Sequence, residues 1–388
     1  MRKNYALLWV GMICGIIGLS AWIYQSLTGF VGANMRNSFP WGLSVAAFEF
    51  FAGAAAGAML IYALSWLFTN RVLQPVTRVA AFTSFACTIA AGIAIITDLG
   101  SLSAISRLFL SPNLRSPLIW DMLVMTVFLV VTVLVVLPQL RPKAQNPSHG
   151  LVMTTLIMSA VLGFVTALLF FTQNAYPAWN TISFPFDALI MGYAVGAAMV
   201  ALFTIWTGDR NRLGEKKQAL GVTARIAALC LIGHFFLIAT ELIPMLISSS
   251  AEKQRLAELT FGHYGGLYVL EGVLLILALL MFLMKRFTQH YRPLQLASLL
   301  VIVGVFVHKL MILLPVFNAI PLTLEVDGAG LWSMPVATGT FTPGASTFVT
   351  FWEYLPSIEE WGVFLLPLGA VFLIIAWLNN RAVSVNRK

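Results

Sequence analysis

The sequence predicts an all-α integral membrane protein, and three observations carry that prediction. Only 10% of its 388 residues are charged while 59% are hydrophobic, against the roughly 25% charge of a soluble domain. Apolar runs of about 20 residues recur along the whole chain, each long enough to cross a hydrocarbon layer of ~30 Å at ~1.5 Å per residue. The Lys and Arg residues fall almost entirely between these runs, as topology determinants do. A water-soluble protein is thereby excluded, and the net charge of +8 reflects topology rather than a nucleic-acid partner.

Runs bounded by charge, Pro or Gly place ten helices, at residues 6–27, 41–68, 79–97, 118–138, 151–172, 185–206, 226–248, 264–284, 293–317 and 361–378. The first follows Met1-Arg2-Lys3-Asn4 and resembles a signal peptide. Its apolar run exceeds the ~7–15 residues of a signal core and no small-x-small site follows, so it is read as a retained helix. The second opens at Pro40-Trp41-Gly42 and carries the small residues Gly53 to Ala58, which permit close helix approach. The third lies between Arg78 and Asp98, and the fourth starts behind Ser116-Pro117, a favoured helix opening. The fifth follows Gly150 and the sixth runs from Pro185 towards the cluster Arg210, Arg212, Lys216, Lys217. The seventh follows Arg225, the eighth ends at Lys285, the ninth starts at Pro293 and the tenth opens at Trp361 behind Pro356-Ser357.

Ten spans put both termini on one side, and 17 of the 23 basic residues lie in connections on that side. Arg36, Arg107, Arg115, Lys253 and Arg255 lie on the other, and Lys309 falls inside a span. The bias predicts cytoplasmic termini. The whole of 1–388 reads as a single polytopic membrane domain. Its connection 318–360, long and rich in Pro and Gly, is expected to form an outer-face cap or docking segment. Ser249 and Glu252 form a capping-box pattern for a short helix on the outer surface. Cys14, Cys87 and Cys230 stand singly in apolar runs, so neither a disulfide framework nor an iron-sulfur cluster of the chain's own is expected. No metal-ligand set is assigned.

An ionisable side chain inside a bilayer costs about 2.5–3.5 kcal/mol, which makes each a functional candidate. Glu49, Glu241, Glu271 and Lys309 fall six to eight residues below the outer ends of their predicted helices, on the order of 9–12 Å down. Asp98, Asp121, Asp187, Glu353, Glu359 and Glu360 are expected higher, near the outer surface. His308 accompanies Lys309, and His234 is placed near the middle. The inner half carries no acid outside its border loops, which argues against a conduit through the membrane and for chemistry at one face. His234 and Glu241 share one helical stripe, and Tyr264, Tyr268 and Glu271 another.

Such a set of groups can hydrogen-bond a quinone head and move its protons. The plainer alternatives are ion pairs that hold helices together and, for Asp121, Glu359 and Glu360, carboxylates that complement helix N-termini. Glu49 has no charged neighbour in sequence. Of the histidines only His234 and His308 are deep enough to ligate haem, and their different depths predict no haem. Trp41, Trp120, Trp332, Trp352 and Trp361 read as an interfacial belt. A secondary transporter for an anionic or proton-coupled solute is the alternative function. It requires inverted repeats and polar groups reaching both faces, and neither is visible.

Four segments resemble the NrfD/polysulfide reductase C-type membrane anchors, in their ten-helix branch. These are Pro40-Trp41-Gly42 with Gly53 and Gly57; Asp98-Leu99-Gly100; Ser111-Pro112-Asn113-Leu114-Arg115-Ser116-Pro117-Leu118-Ile119-Trp120-Asp121; and, more weakly, Tyr354 to Trp361. Ser101 stands where the family usually carries Arg after D-L-G. The resemblance implies two four-helix bundles plus two flanking helices in a bacterial or archaeal cytoplasmic membrane. It implies a subunit without haem that exchanges electrons between the quinone pool (menaquinone or ubiquinone) and an extrinsic four-cluster ferredoxin-like iron-sulfur subunit on the outer face. The catalytic centre for the other substrate would lie on a soluble partner. On the combined reading His234, Glu241, His308 and Lys309 are expected to bind the quinone, with Glu49, Asp98 and Glu271 as proton relays.

Overall fold

Ten helices long and apolar enough to cross a membrane account for nearly all of the chain's described architecture. In the computed structural model they are α1 (Tyr5–Thr28), α2 (Leu43–Leu67), α3 (Thr77–Asp98), α4 (Pro117–Gln139), α5 (His149–Phe171), α6 (Ser183–Thr207), α7 (Lys217–Ile247), α8 (Gly265–Leu283), α9 (Tyr291–Asn318) and α10 (Ile358–Val385). The structure describes residues 4–35, 39–67, 71–99, 106, 110–141, 146–173, 176, 178–208, 214–248, 251–318, 323–326, 330–333, 336–337, 348–349 and 354–385.

Every predicted span has its helix, but α7 and α10 are markedly longer than their apolar runs. The sequence from Lys217 to Arg225 and the stretch Asn379-Asn380-Arg381 are helical although polar. An apolar run measures the hydrocarbon crossed, whereas a helix continues for as long as its backbone hydrogen bonds are satisfied.

Helices α2 to α5 pack as one four-helix bundle and α6 to α9 as a second, while α1 lies on α10, which packs against α3. Glycines explain the closest of these contacts. Gly11 and Gly18 of α1 face the backbones of Leu373 and Leu366 on α10. Between the bundles, Gly53 and Gly57 of α2 lie directly on Gly192 and Gly196 of α6, backbone on backbone, with the two helices running in the same direction. Small residues four apart are what close helix crossings in membranes use, and α2 and α6 are accordingly the two most buried spans. A Cβ on Gly57 would stand 2.3 Å from the Gly192 carbonyl oxygen and 2.8 Å from Tyr193 Cα. Gly57→Val should therefore destabilise the protein by about 3 kcal/mol or more, since backbone cannot yield as a side chain can. Gly92→Ala, with nothing within 4 Å of its new methyl, should be tolerated; thermal unfolding in detergent compares the two.

The described ends of α1 and α10 meet at one face, here the terminal face, and the helix ends flanking the connections after α1, α3, α5, α7 and α9 lie at the other, the distal face. At the terminal face the Asn4 side chain caps α1 by accepting from the Leu7 amide (3.2 Å) and donates to the Trp206 carbonyl (3.0 Å), while the Asn4 amide donates to Asn380 Oδ1 (2.9 Å).

On the distal face a short helix, Ala251–Ala257, follows α7 as expected, although Ser249 and the Glu252 side chain lie outside the described residues. Of the connection 318–360 the structure describes two antiparallel ribbons, Thr323–Val326 with Gly330–Ser333 and Val336–Ala337 with Phe348–Val349. Arg36, Gly100, Ser101, Arg107, Arg210, Arg212, Trp352 and Glu353 also lie outside the described residues. Cys14, Cys87 and Cys230 are all free thiols.

Candidate functional site

Each helix of the α6–α9 bundle contributes one ionisable side chain to a single buried cluster: Asp187, His234, Glu271 and His308. His234 Nδ1 lies 2.7 Å from Asp187 Oδ1, and His308 joins both acids, with Nε2 3.2 Å from Asp187 Oδ2 and Nδ1 2.9 Å from Glu271 Oε1. His234 Nε2 stands 3.8 Å from Glu271 Oε1, beyond hydrogen-bond range. The two rings are nearly perpendicular, with centroids 5.0 Å apart. Two carboxylates and two imidazoles can together hold two exchangeable protons while remaining neutral overall. That balance is what allows four ionisable groups to be buried at all.

This geometry corrects two sequence expectations. Asp187 is not near the surface but at the centre of the cluster, and His234 and His308 do not lie at different depths but share one level. Both errors come from counting depth from helix ends as though those ends lay in one plane. Helix α7 does not stop with its neighbours: Glu241 already meets Thr181 and Ser183 at the start of α6, and six more residues, roughly 9 Å of axis, follow to Ile247. A signal for Asp187 was available in Ser183-Phe184-Pro185, a helix opening that sets Asp187 one turn inside the span rather than at its border.

Lys309 follows His308 in sequence, but successive residues on a helix diverge by about 100°. It therefore leaves the histidine cluster for the seam between the bundles, where its Nζ pairs with Glu49 Oε2 of α2 at 3.3 Å; both side chains are buried. The partner that Glu49 lacks in sequence is thus supplied by α9. Nearby in the first bundle Asp121 is buried and accepts a hydrogen bond from Thr166 of α5 at 2.9 Å. It ties two helices together rather than only complementing the start of its own.

Glu241 sits apart from the cluster, half-buried, and accepts from Ser183 Oγ (2.6 Å) and Thr181 Oγ1 (2.9 Å). Glu360 forms the capping box of α10 with Ser357: the Ser357 amide donates to Glu360 Oε2 (2.9 Å) and the Glu360 amide donates to Ser357 Oγ (3.2 Å). Glu360 also accepts from the Asn34 amide (3.1 Å) and from the Tyr354 hydroxyl, which itself accepts from the Leu43 amide (2.9 Å). Burial, reinforced by the Glu360 carboxylate, raises the Tyr354 phenol above its ordinary range and keeps it a donor. Asp98 ends α3 within electrostatic reach of Glu360, and its Oδ1 is buried.

Above the cluster, an aromatic wall closes the distal end where the bundles meet. Trp41 stacks on Trp179 with centroids 5.9 Å apart, and Phe170 and Phe317 pack edge-on against both. Trp179 Nε1 donates to the Ile312 carbonyl at 2.8 Å, in the turn of α9 where Pro315 interrupts the backbone ladder. The predicted site residues thus separate into three places. His234, Glu271 and His308 come together with Asp187; Glu49 and Lys309 pair at the bundle seam; Glu241 and Asp98 stand at the distal rim.

Comparison with known proteins adds a family. The family model described as polysulphide reductase, NrfD, matches residues 32–321. A Halobacterium salinarum protein, named as a membrane subunit of dimethyl sulfoxide reductase, is 35% identical over 115 residues, covering 29% of this chain and 26% of that one. An Archaeoglobus fulgidus protein, named Hdr-like menaquinol oxidoreductase integral membrane subunit, is 23% identical over 224 residues, 57% of this chain and 55% of its own. The chain therefore spans about half or less of the length of these curated relatives.

Proposed function

The chain belongs to the NrfD polysulphide reductase family, and from that premise we propose that it is the quinone-reactive membrane subunit of an oxidoreductase complex. The observation that carries the reading is the buried cluster of Asp187, His234, Glu271 and His308. A quinol gives up two electrons and two protons, and this buried cluster has places for two protons among mostly apolar side chains. Once protons leave the cluster it carries net negative charge in a medium that penalises it. It is then poised as a base for the hydroxyls of a quinol brought to the histidines, and protons it takes up pass on towards the distal rim by way of Glu241.

The remaining assignments complete this reading, with the side of the membrane taken from the bias of basic residues. The distal face is the outer face, the termini are cytoplasmic, and the chain lies in a bacterial or archaeal cytoplasmic membrane. The partner is a four-cluster ferredoxin-like iron-sulfur subunit docked on the outer face beside a soluble catalytic protein, and the chain carries no haem or cluster of its own. The exchangeable substrate is menaquinone or ubiquinone; the name of the A. fulgidus relative supports the former. His234 and His308 are the quinone ligands, Glu271 and Glu241 serve proton transfer, and Glu49, Asp98 and Lys309 support the site from the seam and the rim.

Titration of the purified chain with a fluorescent quinol-site inhibitor tests the proposal. One site per chain is expected, with affinity lowered tenfold or more in His308→Gln and in His234→Gln. Absence of binding defeats the quinone reading; binding unchanged in both variants defeats the ligand assignment.

A further inference from the structure

The same four-helix bundle supports a second inference, which does not depend on the quinone reading. We propose that Asp187, His234 and His308 bind one divalent transition-metal ion of the zinc class, with Glu271 as the carboxylate behind both imidazoles. One donor atom from each of the three proposed ligands lies within 4.8 Å of the others. A tetrahedral zinc ion with bonds of about 2.0–2.1 Å sets its donors roughly 3.3 Å apart. Asp187 Oδ1 to His234 Nδ1 is 2.7 Å and Asp187 Oδ2 to His308 Nε2 is 3.2 Å, and all three ligand atoms fall within 4.8 Å of one another, so side-chain rotations without movement of the helices can bring them onto one ion.

The nitrogens that face away from the proposed ion carry the argument further. With His308 ligating through Nε2, its Nδ1–H donates to Glu271 Oε1 at 2.9 Å, the carboxylate–histidine–metal arrangement that orients imidazole ligands. With His234 ligating through Nδ1, its Nε2 lies 3.8 Å from the same oxygen, just outside hydrogen-bond range. In the structure His234 Nε2 and Glu271 Oε2 are both buried without a hydrogen-bond partner, on residues only 1% and 3% exposed. Such orphans cost stability, and a small rotation of Glu271 pairs them with each other, which places its carboxylate behind His234 as it already stands behind His308.

Charge selects the ion. Asp187 and Glu271 ionised, with both imidazoles neutral, leave two negative charges inside an apolar bundle, and one divalent cation cancels them. The ion thus takes the place of the two protons that neutralise the cluster otherwise. Nitrogen and carboxylate donors without sulfur suit zinc and its neighbours in the first transition row rather than magnesium or calcium.

The test uses the full chain, purified without a polyhistidine tag, stripped with a chelator, exposed to excess Zn²⁺ and desalted before elemental analysis. One retained zinc per chain is expected, and Co²⁺ in its place should show the intense visible bands of a tetrahedral site. Asp187→Asn and His308→Gln should each lose the ion, while Glu271→Gln should retain it with affinity lowered about 10–100-fold. No retained zinc and no tetrahedral cobalt spectrum in the unaltered chain overturns the proposal, whatever the fate of the variants. So does retention equal in Asp187→Asn and His308→Gln, which would mark adventitious binding. Inhibitor titration of the metal-stripped chain, before any zinc is added, keeps the two readings separate: zinc retention without inhibitor binding to the stripped chain rejects the quinone assignment alone, and inhibitor binding without zinc retention rejects the metal alone.

Discussion

Asp187→Asn should lower quinol turnover by about 100-fold or more while the subunit still inserts and assembles. Asp187 is the residue that both histidines share, bonding His234 through one oxygen and His308 through the other. The amide keeps the side chain's shape but turns one acceptor into a donor and removes the negative charge that makes each imidazole a ready proton carrier. Positioned proton transfer contributes roughly 10²–10⁴-fold to a rate, so the loss belongs in that range. Turnover with a quinol analogue and an artificial acceptor, divided by the amount of assembled complex, gives the number. Normal turnover in a well-assembled Asp187→Asn complex would remove the cluster from the mechanism.

The second large effect is expected on stability. Lys309→Met and Glu49→Gln each strand one partner of a buried ion pair at the seam between the bundles, and breaking such a pair by removing one side costs about 3–5 kcal/mol. Each single variant should accumulate poorly and unfold at lower temperature. The double variant should recover most of the loss, because two neutral side chains of similar size leave no charge uncompensated. A Glu49→Gln protein that assembles normally but turns over slowly would instead place Glu49 on the proton path.

The architecture was legible because hydrophobic length and small-residue spacing act locally. Ten apolar runs became ten helices, and Gly53 with Gly57 marked the face on which α2 meets another helix. The site was only partly legible, because its geometry depends on relations between helices that no single segment encodes. His234, Glu271 and His308 were recognisable as costly residues to bury, but their meeting point depends on how far α7 projects past α6. The depth of Asp187 depends on the same offset between α6 and α7. Glu49 and Lys309 are 260 residues apart, so nothing in either helix alone announces the pair. Glu360, by contrast, is readable from four residues, since Ser357-Ile358-Glu359-Glu360 contains its own capping box.

The glycine crossing of α2 and α6 bears on what the molecule can do mechanically. At Gly53, Gly57, Gly192 and Gly196 the two bundles touch through main chain alone, with no layer of side chains between them to exchange one set of rotamers for another. Shear between packed helices relies on such a layer, and this seam is further pinned by the Lys309–Glu49 pair. The halves therefore behave as a fused frame rather than as a rocker that opens alternately to the two sides. What a fused frame provides is a constant distance: the histidine cluster keeps its depth below the distal face, which on the proposed function would hold the gap for electron transfer fixed, whereas carrying a solute requires the halves to move.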